Sequence, residues 1–149
     1  MLQLSDREKI DQLALVMATM PQAPAMPTEH FFAGGMYCRR IHIPQGTAIV
    51  SKTHKTEHFF IGCIGQMIVH GEGEPYLLHP GVVIKSPIGT RRAVYAVTDV
   101  VCMTIHKTDK TSTDGLEDEM VEIDENSKYD VNNNPKPGVL VAQPREVLQ

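Results

Sequence analysis

Residues 81–96 read GVVIKSPIGTRRAVYA. Val82, Val83 and Ile84 form a β-branched run just after Gly81, Pro87 and Gly89 supply turn chemistry, and Ala93 to Ala96 form a second apolar run. The reading is a strand entering at Gly81, a tight turn on Pro87 and Gly89, and a strand returning into the same core. Working outward, runs of the same kind recur on both sides: MYCRRIHI from Met36, TAIVS from Thr47, HFFIGCI from His58, QMIVH from Gln66, PYLLH from Pro75 and VVCMTIH from Val100. HGEGEP, residues 70–75, reads as a hairpin connection. About eight short strands, spaced by Gly and Pro with no helical segment between them, predict an all-β antiparallel barrel or jelly roll.

The ends differ from this middle. Ser5 and Glu8 have capping-box spacing, and Ile10, Leu13, Ala14, Met17 and Met20 recur at helical intervals. That predicts one amphipathic helix, ended by Pro21, and PQAPAMP (21–27) then reads as a stiff extended connector. Beyond residue 108, Leu116, Met120 and Ile123 suit a brief helix on GLEDEMVEI, NNNPKPG is loop chemistry, and GVLVA (138–142) could add to a sheet edge. The expected organisation is a helix and Pro-rich connector over 1–27, a β-barrel over 28–108 and an acidic arm over 109–149. Residues 28–108 carry eight Lys/Arg and five Asp/Glu, whereas 109–149 carry four and ten. A tail so acidic reads as a solvated segment unless it packs on the basic barrel of its own chain or of a partner.

With 149 residues, 42% hydrophobic and 21% charged, the chain has room for one ordinary domain and the composition of a globular protein. No apolar run approaches a membrane span, and MLQLSDREKI lacks the basic and apolar regions of a signal peptide, so a cytoplasmic protein is expected. Cys38, Cys63 and Cys102 are odd in number, form no C-x-x-C pair and read as buried thiols. A net charge of −4 and the lack of aromatics around Arg39-Arg40 and Arg91-Arg92 give no case for nucleic acid. The G-x-G of HGEGEP opens no helix and is not a nucleotide loop.

The opening stretch resembles the second motif of the cupin superfamily, a glycine, five residues, Pro-x-Gly, two residues, a metal-binding histidine, three residues and an asparagine. Gly81, Pro87 and Gly89 fall on the motif's spacing, while Arg92 stands in the histidine's place and Ala96 in the asparagine's. Upstream, SKTHKTEHFFIGCIG is similar to the first cupin motif. Read back from Gly65, His58 takes the place of the glutamate, His54 that of the second histidine and Lys52 that of the first. The resemblance implies a small cupin-like β-barrel and a homo-oligomer paired through sheet edges and terminal arms.

Lysine and arginine in ligand places cannot coordinate a cation while charged, so the expected state is without a cofactor. Lys52, His54, His58 and Arg92 then make a cationic pocket for a carboxylate or phosphate. The alternative is a metal site in which His54 and His58 bind Zn, Fe or Ni with further groups from His42, His70, His106 or Glu57. The functional expectation is a non-catalytic binding or assembly module, with an arm-barrel-arm plan that would suit a larger assembly such as a viral particle. The alternative is an enzyme of the cupin class, either a metal-free sugar-nucleotide isomerase or epimerase or a metallo-cupin on His54 and His58.

Overall fold

The computed structural model describes residues 3–142. The chain runs α1 (Asp6–Met17), β1 (Thr28–Ala33), β2 (Met36–Ile43), β3 (Ala48–Val50), β4 (His58–Ile64), β5 (Met67–His70), β6 (Tyr76–Leu78), β7 (Val83–Ser86), β8 (Ala93–Ala96), β9 (Val100–Lys107) and α2 (Leu116–Met120). The strands form two antiparallel sheets, of order β1-β2-β9-β4-β7 and β3-β8-β5-β6. Among the described residues there are nine strands rather than eight. The additional one is β1, TEHFFA, which pairs along its whole length with β2.

The decisive turn does more than join neighbours. Gly89, at φ 88°, holds the left-handed position of a turn closed by the Thr90 amide donating to the Pro87 carbonyl (3.3 Å). It carries the chain from β7, which pairs with β4 in the larger sheet, to β8, which pairs with β3 and β5 in the smaller one. Met26, Ile43, Phe60, Met67, Val69, Leu78, Ala96, Val100 and Cys102 fill the space between the sheets. Gly62 is needed in that stack: a Cβ there would lie 2.5 Å from the His79 carbonyl oxygen.

Both ends lie on this body. The capping box at Ser5 is formed as expected, and the helix stops at Met17, before Pro21. Only Ile10 of its predicted apolar face is buried, whereas Leu13 and Met20 are exposed. Polar contacts anchor α1 instead: Arg7 donates to the Gly89 carbonyl and Thr53 Oγ1 (both 2.8 Å), and Arg91 to Asp11 (2.7 Å).

The acidic tail is not a free solvated segment over its described length. Leu116 and Met120 are buried against Tyr37, and Val121 bridges to His54. Asn133 donates to Thr28 Oγ1 and Tyr129 to the Ala23 carbonyl (both 2.8 Å). GVLVA pairs not with a sheet edge but with the connector, the Gln22 amide donating to the Leu140 carbonyl (2.8 Å) and the Ala142 amide to the Gln22 carbonyl (2.7 Å). The thiols also depart from expectation. All three are free, but only Cys102 is buried, because Cys38 and Cys63 sit on the outward parity of β2 and β4. No described helix is long and apolar enough to cross a membrane.

Candidate functional site

Strand parity builds the site. On β2 the residues Tyr37, Arg39, Ile41 and Ile43 point between the sheets, on β9 Cys102, Thr104 and His106, and on β4 His58 and Phe60. Cross-strand register sets them in two rows. Tyr37 lies opposite His106, and His58 opposite Ser86. Arg39 lies opposite Thr104, and Thr104 opposite Phe60. Arg92, arriving from the turn, closes both rows by donating to Ser86 Oγ and placing its guanidinium carbon 5.0 Å from the centre of the Phe60 ring.

These residues line one cavity of about 1000 Å³ whose lining also includes the apolar side chains of Ile41, Ile43, Ile49, Phe60, Met67 and Val94. Lys52, His54, His58 and Arg92 all border it. Lys52, however, is ion-paired with Glu117 of α2, so the arm supplies its counter-charge. Arg92 is buried and served by Ser86 and Phe60; Tyr76, whose hydroxyl lies near but outside hydrogen-bonding geometry, partly offsets the lowering that burial imposes on the guanidinium.

Sequence reasoning missed Arg39. Read with Arg40 as a basic pair, it separates from it completely: Arg40 points outward onto Glu29 (2.7 and 2.9 Å), while Arg39 points into the cavity. Among the described residues Arg39 has no hydrogen-bond partner and no carboxylate within ion-pair distance. Burial pushes its guanidinium downward, yet arginine starts so high that it stays charged. Parity carried the missing signal, since Arg39 shares its face with Tyr37, Ile41 and Ile43. The second basic pair splits similarly, Arg91 to Asp11 and Arg92 inward.

The histidines form a stack. The ring centres of His54 and His58 are 4.2 Å apart, those of His58 and His106 4.6 Å, and those of His54 and His106 5.9 Å. Of the four residues considered as helpers for a metal site, only His106 joins them; His42 lies on the outer face against Glu29, Glu57 pairs with Lys85, and His70 is exposed. Burial, then the charge of His58, pushes His54 down to about 4. Burial, then the charges of His58 and His54, pushes His106 down to about 3. Burial also lowers His58, partly offset by its hydrogen bond to the Thr56 carbonyl. All three are neutral near pH 7.

Neutral imidazoles are the right donors for a transition metal, but their arrangement is wrong for one. Imidazole lone pairs lie in the ring plane, and these rings are within 15–32° of parallel, so the lone pairs run side by side rather than converge. Among the described residues no group of three or more His, Cys, Asp and Glu side chains is placed to hold a metal ion. Arg39 and Arg92 flank the stack with positive charge. The residues present therefore do not fit the metal that the motif resemblance brings to mind.

Two antiparallel sheets folded face to face, with the motif-two turn crossing between them, are a cupin double-stranded β-helix. The chain has the cupin fold. A cupin superfamily protein from Desulfitobacterium hafniense superposes with a TM-score of 0.50 at 11% identity, over 65% of this chain and 88% of that one. KdgF from Halomonas sp. does so with 0.51 at 14% identity, over 58% and 82%. The DMSP lyase DddQ from Ruegeria pomeroyi gives 0.51 at 15% identity, over 59% of this chain but only 49% of the lyase. At such identities the likeness extends to the fold alone. No protein-family model and no curated protein matches the sequence. Nothing in these likenesses supports the expected virion or particle role.

Proposed function

We infer that this chain is a metal-independent cupin-fold binding module whose barrel cavity takes a small organic anion. The observation that carries the reading is Arg39, a guanidinium facing the barrel cavity with no hydrogen-bond or ion-pair contact among the described residues. Burying an ion costs several kcal/mol unless something compensates, and a fold tolerates it where a partner arrives from outside. Arg92, Thr104 and the neutral histidines supply hydrogen-bonding capacity around the same cavity. The stacked geometry of His54, His58 and His106 argues against routing that role through a cation.

Calorimetric titration of chelator-treated protein with small carboxylates and inorganic phosphate tests this. Binding by at least one anion, undiminished by chelator, is the expected result. Binding that requires an added transition metal, or no binding by any anion, overturns it. One observation favours a second reading, a metal-free enzyme: the buried His58 Nε2 has no partner and could accept a proton from a bound molecule. Turnover of a bound acid that vanishes in His58→Gln, with binding retained, would decide for that reading.

A further inference from the structure

The charges in the cavity sort into those that have partners and one that does not. Lys52 has Glu117, Arg92 has Ser86 and the Phe60 ring, and Arg39 has none among the described residues. Arg39 is therefore the cation whose donors are free to receive a group from outside, the charge of Glu117 reaching it only at longer range. A guanidinium presents its donors as a flat fork matched to a carboxylate, so the group that satisfies it best is a single carboxylate held by two parallel N–H donors. Inorganic phosphate has no hydrocarbon to lay against the apolar part of the cavity lining, so it gains less there than an organic carboxylate.

The histidines add a requirement of opposite polarity. His58 Nδ1 lies 3.0 Å from the Thr56 carbonyl oxygen. A carbonyl only accepts, so Nδ1 carries the proton and Nε2 of the neutral ring is a bare acceptor. That atom is buried without a partner, as is Nδ1 of His106. An acceptor left dry is costly, and it is satisfied by a hydroxyl or N–H donor rather than by an anion's oxygen. His58 sits on β4 and Arg39 on β2, with β9 between them and a two-residue offset along the strands, which sets their backbones roughly 12 Å apart at ordinary strand geometry. Two side chains reaching inward from that separation leave room for a carboxylate and a nearby hydroxyl between them. In the same lining, Ile41, Ile43, Phe60, Met67 and Val94 supply apolar surface that suits a hydrocarbon body.

We propose that the ligand of this cavity is a hydroxy-monocarboxylic acid with an apolar body, its carboxylate on Arg39 and its hydroxyl donating to His58 Nε2. This rests on the anion-binding reading above and narrows it to one chemical class. Around the two anchor points stand His54 and Arg92 beside His58, Tyr37 stacked on His106, Glu117 paired with Lys52 and acting on Arg39 only at longer range, and Glu119 held away at Thr108 (2.9 Å).

The test is calorimetric titration of the full chain with four probes: hexanoate, 2-hydroxyhexanoate, 3-hydroxyhexanoate and inorganic phosphate. At least one hydroxy acid is expected to bind tenfold or more tightly than hexanoate, and phosphate to bind most weakly. Arg39→Met should lose at least a hundredfold in affinity for every carboxylate, with Arg39→Lys retaining part of it. His58→Phe should erase the preference for the hydroxy acid, bringing the affinities for hexanoate and the hydroxy acids within about twofold of each other. Thermal melts of each variant exclude loss of fold as the cause. Binding of phosphate without binding of any hexanoate, or equal affinity for hexanoate and both hydroxy acids, overturns the proposal and leaves anion binding standing. Failure of all four probes overturns the anion-binding reading as well.

Discussion

Arg39 and Arg40 are chain neighbours on one strand, and they live in opposite electrostatic worlds. Arg40 faces solvent and lies on Glu29, which also takes His42 (2.9 Å); the hydrogen bonds from Arg40 and His42 pull the Glu29 carboxyl down to about 2. Arg39 faces the cavity with no carboxylate in ion-pair contact, and the charge of Glu117, paired with Lys52, reaches it only at longer range. Where solvent already screens the charge, the protein has built it an ion network; where the charge is partly withdrawn from solvent, it has built no contact pair. A chain seeking stability alone would do the reverse. The unpaired inner charge is therefore a feature of what the cavity receives, and the outer one a feature of the surface.

The sharpest way to break this comparison is to remove each charge in turn. Arg39→Met should weaken carboxylate binding by at least two orders of magnitude, the scale of a desolvated charge pair losing one partner. Arg40→Met should change it less than twofold, because its charge is outside the barrel and screened. Equal effects from the two substitutions, measured by titration, would mean that the anion sits on the outer face.

Acid separates the two faces next. His54 and His106 have folded pKa values depressed to about 4 and about 3, below the unfolded value near 6.5. Between those limits the unfolded chain binds more protons than the native one, so stability is present above about pH 6.5 and is lost as the pH falls toward 4. For His54 alone the loss is on the order of 3 kcal/mol. Glu29 on the outer face contributes in the same direction but only below about pH 4.5, where an unfolded carboxylate begins to protonate. Melting temperature should therefore fall already between pH 6.5 and 4.5 in the wild type, and fall much less over that window in a His54→Asn/His106→Asn variant.

Much of the fold was legible because its signals are local. Gly81, Pro87 and Gly89, the capping box at Ser5, the HGEGEP hairpin and the short helix at Leu116 each announce themselves within a few residues. β1 was missed because TEHFFA follows the Pro-rich connector without alternation and is a strand by virtue of its pairing with β2. The site divides the same way. Lys52, His54, His58 and Arg92 were legible from motif spacing, and the structure brings all four to one cavity. Arg39 was not, because two consecutive arginines look like surface until strand register assigns them opposite faces. Nor could composition show that Glu117, across 65 residues, would neutralise Lys52.

A smaller effect sharpens the same contrast from the side of stability. Replacing a partly buried charge that has no contact partner by an apolar residue of similar length relieves part of its desolvation cost, so Arg39→Met should raise stability by about 1 kcal/mol in anion-free buffer. Arg40→Met, which breaks only an exposed pair, should leave the melt unchanged. A destabilised Arg39→Met protein, under conditions where no anion is bound, would mean that Arg39 supports the barrel rather than waits for a ligand.

The smallest expected effect concerns the cation that the arm already serves. Lys52 and Glu117 meet at the rim of the cavity, and Glu117 is 40% exposed, so solvent screens much of their attraction. Glu117→Gln should cost less than about 1 kcal/mol of stability. It should nevertheless change binding, because it unmasks a second cation at the mouth while leaving Leu116 and Met120 packed on Tyr37. The variant is expected to gain affinity for a dianion such as phosphate by several-fold and to keep its affinity for a monocarboxylate. If phosphate gains nothing, Lys52 stands too far from the bound anion to act on it. The charge that selects the ligand would then be that of Arg39 alone.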